Sequence, residues 1–329
     1  MTVRLDPARI KTSAHPPGPI ALAPMDGITD HAYRELWTSI HSPGRVAFCV
    51  SEFVRVSEQP LPDYVICRAY PEVEAGGLTR TGVPVLLQLL GGQPAPIAET
   101  ARTATNLGAY GIDLNFGCPA KLVNRHDGGA SLLRAPERIE RIVDAVRRIV
   151  PGDRPVSAKI RLGWESSDEV VEIARAAERG GASWLTIHGR TKVAMYGPPA
   201  DWEAIGRARA AVNIPVVANG DLNTLRALES CRAISGCTHF MLGRGPMARP
   251  SLLRSGIAQS EDTELRPLRD VLLEYLEILA REGNSEERQV ARVKQWLSLA
   301  KRVDPALSAY FESIKTVLPR AELRRRLIS

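Results

Sequence analysis

Eight short apolar runs recur along the chain, at 20–25, 46–52, 85–90, 111–116, 156–161, 184–188, 215–219 and 239–243. Most are nearly continuous in hydrophobicity, as expected of parallel strands covered on both faces. Amphipathic stretches lie between them. In 136–150, Ile139, Ile142, Val143 and Val146 recur at helical spacing, and 170–179 and 222–234 follow the same pattern. Thr29 with Asp30 can cap a helix running to Trp37. Eight strand–helix units in about 250 residues predict an α/β fold, a TIM (β/α)8 barrel. A doubly wound sheet is the competing arrangement.

A polar residue closes every predicted strand. These are Met25-Asp26, Glu52, Gln88, Asn115, Lys159 with Arg161, His188, Asn219 with Asp221, and Gly243-Arg244. In a barrel those ends converge on one mouth, so their coincidence predicts a ligand site there. Past Ser255 the strand pattern stops. Residues 268–281, 290–301 and 306–317 have helical period. The chain therefore divides into a barrel at 1–255 and a small all-α domain at 256–329.

The 329 residues are 44% hydrophobic and 24% charged, which suits a globular protein. No apolar run approaches the ~18 residues of a transmembrane helix. The N-terminal residues lack a hydrophobic signal core, so a cytoplasmic location is expected. Five scattered cysteines, odd in number and without Cys-x-x-Cys spacing, argue against a disulfide framework and a zinc site. No metal is expected.

The net charge of +6 is unevenly placed. Residues 288–329 carry ten Lys/Arg against three acids, +7, which leaves −1 for residues 1–287. Such segregation suggests a polyanion partner, nucleic acid before membrane; a solvated helical face is the alternative. Arg288, Arg292 and Gln295 share one helix face, with Lys294 nearby, and make candidate phosphate contacts.

Gly243-Arg244-Gly245-Pro246-Met247-Ala248 matches a glycine-rich dinucleotide pattern, but it follows the last strand rather than an early one. There it fits a barrel phosphate site formed with Asn219-Gly220-Asp221, Arg244 being a possible charge partner. Pro246 suits the first turn of a short helix. Lys159 and Arg161 alternate with apolar neighbours, so both point to one side of their strand and call for an anion or an electron-rich ligand. His188 ends its strand as either a ligand contact or a structural residue. Cys118, between Gly117 and Pro119, can be a nucleophile, a proton donor or a buried filler.

Taken together, several segments resemble the tRNA-dihydrouridine synthases. They are Ala23-Pro-Met-Asp-Gly-Ile-Thr-Asp30, Gln88-Leu-Leu-Gly91, Asp113-Leu-Asn-Phe-Gly-Cys-Pro119, Lys159-Ile-Arg-Leu-Gly163, His188-Gly-Arg-Thr191, Ala218-Asn-Gly-Asp221 and Met241-Leu-Gly-Arg-Gly245. The resemblance implies an FMN enzyme that reduces a uridine of the tRNA D-loop with NADPH. Pro24, Met25 and Asp26 would line the flavin, and Gln88 and Lys159 would contact its polar edge. His188, Asn219, Gly220, Asp221, Gly243 and Arg244 would lie at its ribityl-phosphate end. Asn115 and Arg161 would touch the target base or hold the geometry.

Hydride would pass from flavin N5 to uracil C6, and Cys118 would give a proton to C5. The basic helices would hold the tRNA. Gly163-Trp164 and 231–237 are most similar to the branch acting on uridine 16, although Asp26-Gly-Ile departs from the Glu-Gly-Val more usual there. A monomer is expected. A small-molecule pyrimidine flavoenzyme of the dihydroorotate or dihydropyrimidine dehydrogenase type is the alternative, and an inactive RNA-binding barrel is a third.

Overall fold

The computed structural model describes residues 16, 19–40, 46–197, 199–253, 267–317 and 319–328. Eight strands form its centre: β1 (Ile20–Leu22), β2 (Phe48–Val50), β3 (Val85–Leu90), β4 (Ile112–Asn115), β5 (Val156–Arg161), β6 (Leu185–His188), β7 (Val216–Asn219) and β8 (His239–Leu242). Each pairs in parallel with the next, and β8 pairs with β1, so the sheet closes. A two-residue strand, Val54–Arg55, extends the β3 edge. This is a TIM barrel; the doubly wound sheet is set aside by the closure.

Several strands are shorter than the apolar runs. The Ala23 and Ser51 N–H groups still donate to the Leu242 and Leu86 carbonyls, at 2.8 and 2.9 Å; beyond them the backbone turns aside, and Pro24, Met25 and Phe53 line a cavity. Register then levels the polar ends. Asn115 lies opposite Lys159, Arg161 opposite His188, and His188 opposite Asn219. Beneath that polar layer the interior is filled by Ala21, Phe48, Leu86, Trp184, Val217 and Met241. The larger apolar cluster lies between strands and outer helices, as covered parallel strands require. The Pro136–Ile149 helix shows the rule: Ile139, Ile142, Val143 and Val146 are its buried residues, as their spacing predicts.

After the barrel come helices Leu268–Arg281, Glu286–Ala300, Ser308–Ile314 and Arg320–Ile328. The expected helix over 306–317 is divided: a 3-10 turn at Pro305–Leu307, capped by Asp304, precedes Ser308–Ile314. The last helix was not foreseen; its Arg-rich sequence has little apolar period beyond Leu323 and Leu327. The expected domain boundary at 255/256 lies outside the described residues.

The helices are not a loose appendage. Tyr33 and Trp37 of the His31–Ser39 helix meet Tyr275 and Trp296, with Trp37 and Trp296 stacked at 5.5 Å. Trp296 Nε1 donates to the Met247 carbonyl at 2.9 Å. Barrel and helices share one buried apolar cluster. Among the described residues no helix is long and apolar enough to cross a membrane.

Candidate active site

A cavity of about 440 Å³ opens at the C-terminal ends of the strands. All the candidates carried by the barrel line it: Pro24, Met25, Asp26, Gln88, Asn115, Cys118, Lys159, Arg161, His188, Asn219, Gly220, Asp221, Gly243 and Arg244.

The barrel interior holds the loop that bears Cys118. Asp113 is buried, and its two carboxylate oxygens accept from Gln88 Nε2 at 2.7 Å and Ser157 Oγ at 2.6 Å. Gln88 Oε1 then accepts from Asn115 Nδ2 at 2.8 Å. Asn115 Oδ1 in turn accepts from the backbone N–H groups of Gly117 and Cys118, each at 3.0 Å. Gln88 and Asn115 therefore transmit the fixed position of a buried carboxylate to the cysteine loop. The amide orientations follow from this donor and acceptor pattern. From the other side Arg161 Nε donates to the Gly117 carbonyl at 2.8 Å. Its Nη1 donates to the Thr191 and Met195 carbonyls, joining the loops after β4 and β6.

Burial pushes the Cys118 thiol up, Asp26 adding to the shift and Arg161 and Lys159 opposing it. The thiol is thus kept protonated near neutrality, the state a proton donor needs. Burial, aided by Arg161, lowers the Lys159 ammonium to about 8. Burial and the cations Lys159, Arg161, Arg190 and Arg244 hold His188 well below its ordinary range, so its imidazole is neutral.

At the opposite end, Gly220 has φ +117° and supports a turn that an L side chain would strain. Asn219 Nδ2 donates to the Met241 carbonyl at 2.8 Å, tying β7 to β8. Pro246 sits in the first turn of the short Gly245–Ala248 helix.

Asp221 and Arg161 both brace loops. Asp221 turns its carboxylate to Arg190 Nη2 at 2.6 Å and the Ala200 N–H at 2.9 Å. Its carboxylate braces the loop. Arg161 spends Nε and Nη1 on three carbonyls, so of its two expected roles it is seen in the structural one. Arg292 departs from its expected place. It lies against the barrel, paired with Asp30 at 2.8 Å, rather than on an open basic face.

The cavity also contains residues the strand-end pattern did not reach. Arg190 follows His188 by two positions, outside the ladder. Tyr196 lies on the loop after β6, with the Arg161 and Arg244 guanidinium carbons 5.4 and 5.8 Å from its ring centroid. Leu299 and Arg302 reach the cavity from the C-terminal helices. Only Arg190 stood near a recognisable motif; the others depend on tertiary placement.

The donor set suits a flavin mononucleotide. Lys159 and Arg244 have no carboxylate partner among the described residues, and His188 Nδ1 is buried without a hydrogen-bond partner there. Two cations and a neutral imidazole without partners, beside a side-chain-free turn at Gly220, match a group with an anionic end.

The dihydrouridine synthase (Dus) family model matches residues 21–328. The chain belongs to this family. It is 44% identical to the tRNA-dihydrouridine(16) synthase of Aquipseudomonas alcaligenes, over 90% of this chain and 94% of that one. The tRNA-dihydrouridine(16) synthase of Cupriavidus necator is 43% identical, over 93% and 95% of the two chains. That of Salmonella typhimurium is 41% identical, over 94% and 98%. A 2-naphthoyl-CoA reductase complex shares the fold at TM-score 0.51 and 14% identity, over 82% of this chain and 50% of that one. As a dihydrouridine synthase the chain is an oxidoreductase.

Proposed function

We propose that this synthase reduces uridine 16 in the D-loop of tRNA to 5,6-dihydrouridine, with FMN as cofactor and NADPH as reductant, in the cytoplasm. The observation that carries the reading is Cys118: a protonated thiol on a loop braced by Asn115 and Arg161, at the rim of a cavity with unpartnered cations. Relatives named tRNA-dihydrouridine(16) synthase, alike over nearly their whole length, favour it over a small-molecule pyrimidine substrate.

Pro24, Met25, Gln88 and Lys159 would hold the ring system, and His188, Gly220, Gly243 and Arg244 the phosphate end. FMN, when bound, supplies hydride to the uracil ring. Lys159 faces the negative charge of that reaction with a compact cation. Cys118 gives its thiol proton to C5, which quenches the charge left on the ring. The base must leave its stack to reach the cavity, so the RNA backbone needs a hold outside it.

The C-terminal helices supply that hold, but few of their cations are open. Lys301 and Lys315 pair with Glu312, Arg320 and Arg324 with Glu277, and Arg325 and Arg326 with Glu322. Among the described residues Arg288, Lys294 and Arg302 have no carboxylate partner. They are the phosphate contacts we assign, with Arg302 nearest the cavity.

The test is mass spectrometry of tRNA from a strain lacking the protein, with purified enzyme added back under NADPH. Loss and restoration of dihydrouridine at position 16 supports the assignment; its persistence in the deletion strain overturns it. The purified protein should be yellow with about one FMN per chain, and a colourless protein that ignores added FMN would sink the cofactor reading.

A further inference from the structure

On the helix Glu286–Ala300, Arg292 does not behave as part of a nucleic-acid surface. Its side chain is only 10% exposed and pairs with Asp30 at 2.8 Å. Its Nη1 donates to the Gly27 carbonyl and to Gln295 Oε1, and its Nη2 to the Ile28 carbonyl at 2.6 Å. Asp30, Gly27 and Ile28 all belong to the segment joining β1 to the His31–Ser39 helix.

That segment is part of the cavity wall, through Pro24, Met25, Asp26 and Ile28. It has little slack. The Met25 N–H donates to Thr29 Oγ1 at 2.8 Å, and the Ile28 N–H donates to the Met25 carbonyl at 2.9 Å. Gly27, at φ +71°, turns the chain where Gln295 Nε2 comes within 3.9 Å of the place a Cβ would occupy. The barrel grips both ends: the Ala23 N–H donates to the Leu242 carbonyl at 2.8 Å, and Arg34 Nη1 donates to the Thr29 carbonyl at 2.6 Å. Between those ends, the carbonyls of Gly27 and Ile28 are held from the helices by Arg292.

We propose that Arg292 is a positioning residue for the flavin reaction. From the helical part it fixes the Met25–Ile28 turn, so that this wall of the cavity takes its working shape only with the helices docked. The proposal rests on the flavin reading above. A planar guanidinium can meet two carbonyls and a carboxylate at once, which a lysine ammonium cannot do with the same geometry.

The experiment compares wild type with Arg292→Ala and Arg292→Lys, using Arg288→Ala as the solvent-facing control. Three quantities are read: the FMN dissociation constant of the holoenzyme by flavin fluorescence, the visible circular dichroism of bound FMN, and tRNA affinity across salt concentrations. Arg292→Ala should weaken FMN binding at least tenfold and alter the flavin dichroism, with the salt slope unchanged. Arg292→Lys should fall between it and wild type. Arg288→Ala should move only the salt slope.

If Arg292→Ala does not fold, Arg292→Gln, which keeps one donor for one carbonyl, is read the same way. The proposal is overturned if the variant binds FMN as wild type does, with unchanged dichroism, while its salt slope falls by about one, the mark of a lost phosphate contact. A wild-type protein that binds no FMN overturns the flavin reading instead, so the two failures are told apart.

Discussion

The cations of the barrel mouth and those of the C-terminal helices differ in what surrounds them. At the mouth, Lys159 and Arg244, without a carboxylate partner among the described residues, crowd a neutral His188 beside one cavity, with Arg161 and the Asp221-paired Arg190 close by, and burial lowers Lys159 to about 8. On the helices, Glu277, Glu312 and Glu322 each meet two basic side chains, and Arg292 is spent on Asp30. Residues 288–329 hold an excess of +7 by count, yet the mouth holds the stronger demand for a ligand. Unpaired, desolvated charge requires an anion; exposed charge with a neighbouring carboxylate is nearly satisfied in water.

The largest effects should come from the mouth. Cys118→Ala should keep FMN and tRNA binding and lose about 10²–10⁴-fold in turnover, the usual contribution of a positioned general acid. Flavin reduction by NADPH, followed by absorbance, should survive, because the thiol acts afterwards. Wild-type dihydrouridine formation by this variant would place the proton donor elsewhere. Asp113→Asn is the next largest. It puts an amide donor against Gln88 Nε2 or Ser157 Oγ, and the misfit passes through Asn115 to the Cys118 loop. Turnover should drop about 10²-fold, as a small misplacement of a catalytic group can cost. An unchanged kcat with a folded variant would mean that Asp113 does not hold the Cys118 loop through Gln88 and Asn115.

Lys159 gives a smaller, pH-dependent effect. Its ammonium is charged below about 8 in the protein without ligand and loses its proton as pH rises through that value. An anionic ligand favours the charged form and raises the pKa when bound. FMN affinity should therefore be flat below about pH 8 and weaken above it, by up to about tenfold per pH unit. Lys159→Met should remove this dependence. A wild-type affinity that is level from pH 7 to 10 would mean that Lys159 does not face the flavin.

Legibility in the sequence divided along the same line. The barrel was readable because continuous apolar runs and amphipathic helices repeat eight times, and because residues at strand ends share one mouth whatever the loops do. Asn115, Cys118 and Lys159 were found this way. The bracing of Asn115 and the Cys118 loop through Gln88 and Asp113 was not, since it depends on register across neighbouring strands. Asp221 and Arg161 were placed at the site, but what their side chains hold comes from loops that no period predicts. On the helices, Arg292 shares its face with Arg288 at i, i+4, yet one is buried against the barrel and the other is exposed. Helical spacing names a face; it does not say which part of that face a neighbouring element covers.

The smallest effect, and the sharpest test of the comparison, comes from exchanging paired for unpaired cations. Arg324, Arg325 and Arg326 make the densest basic run in the chain, but all three reach carboxylates, Glu277 for the first and Glu322 for the other two. Replacing them with Ala removes three positive charges, frees Glu322 and leaves Glu277 with Arg320. Arg288, Lys294 and Arg302 lack such partners among the described residues and can move onto phosphates without breaking an ion pair. Each phosphate contact contributes about 0.7–0.9 to the slope of log affinity against log salt. The triple Ala variant at 288, 294 and 302 should flatten that slope by about two to three and weaken binding several-fold at moderate salt. The variant at 324, 325 and 326 should flatten it by less than about one. The measurement is tRNA affinity at four or five salt concentrations for the two variants and wild type. Equal slopes in the two triple variants would mean that the helices act as a diffuse positive field, and that their salt bridges open freely to RNA.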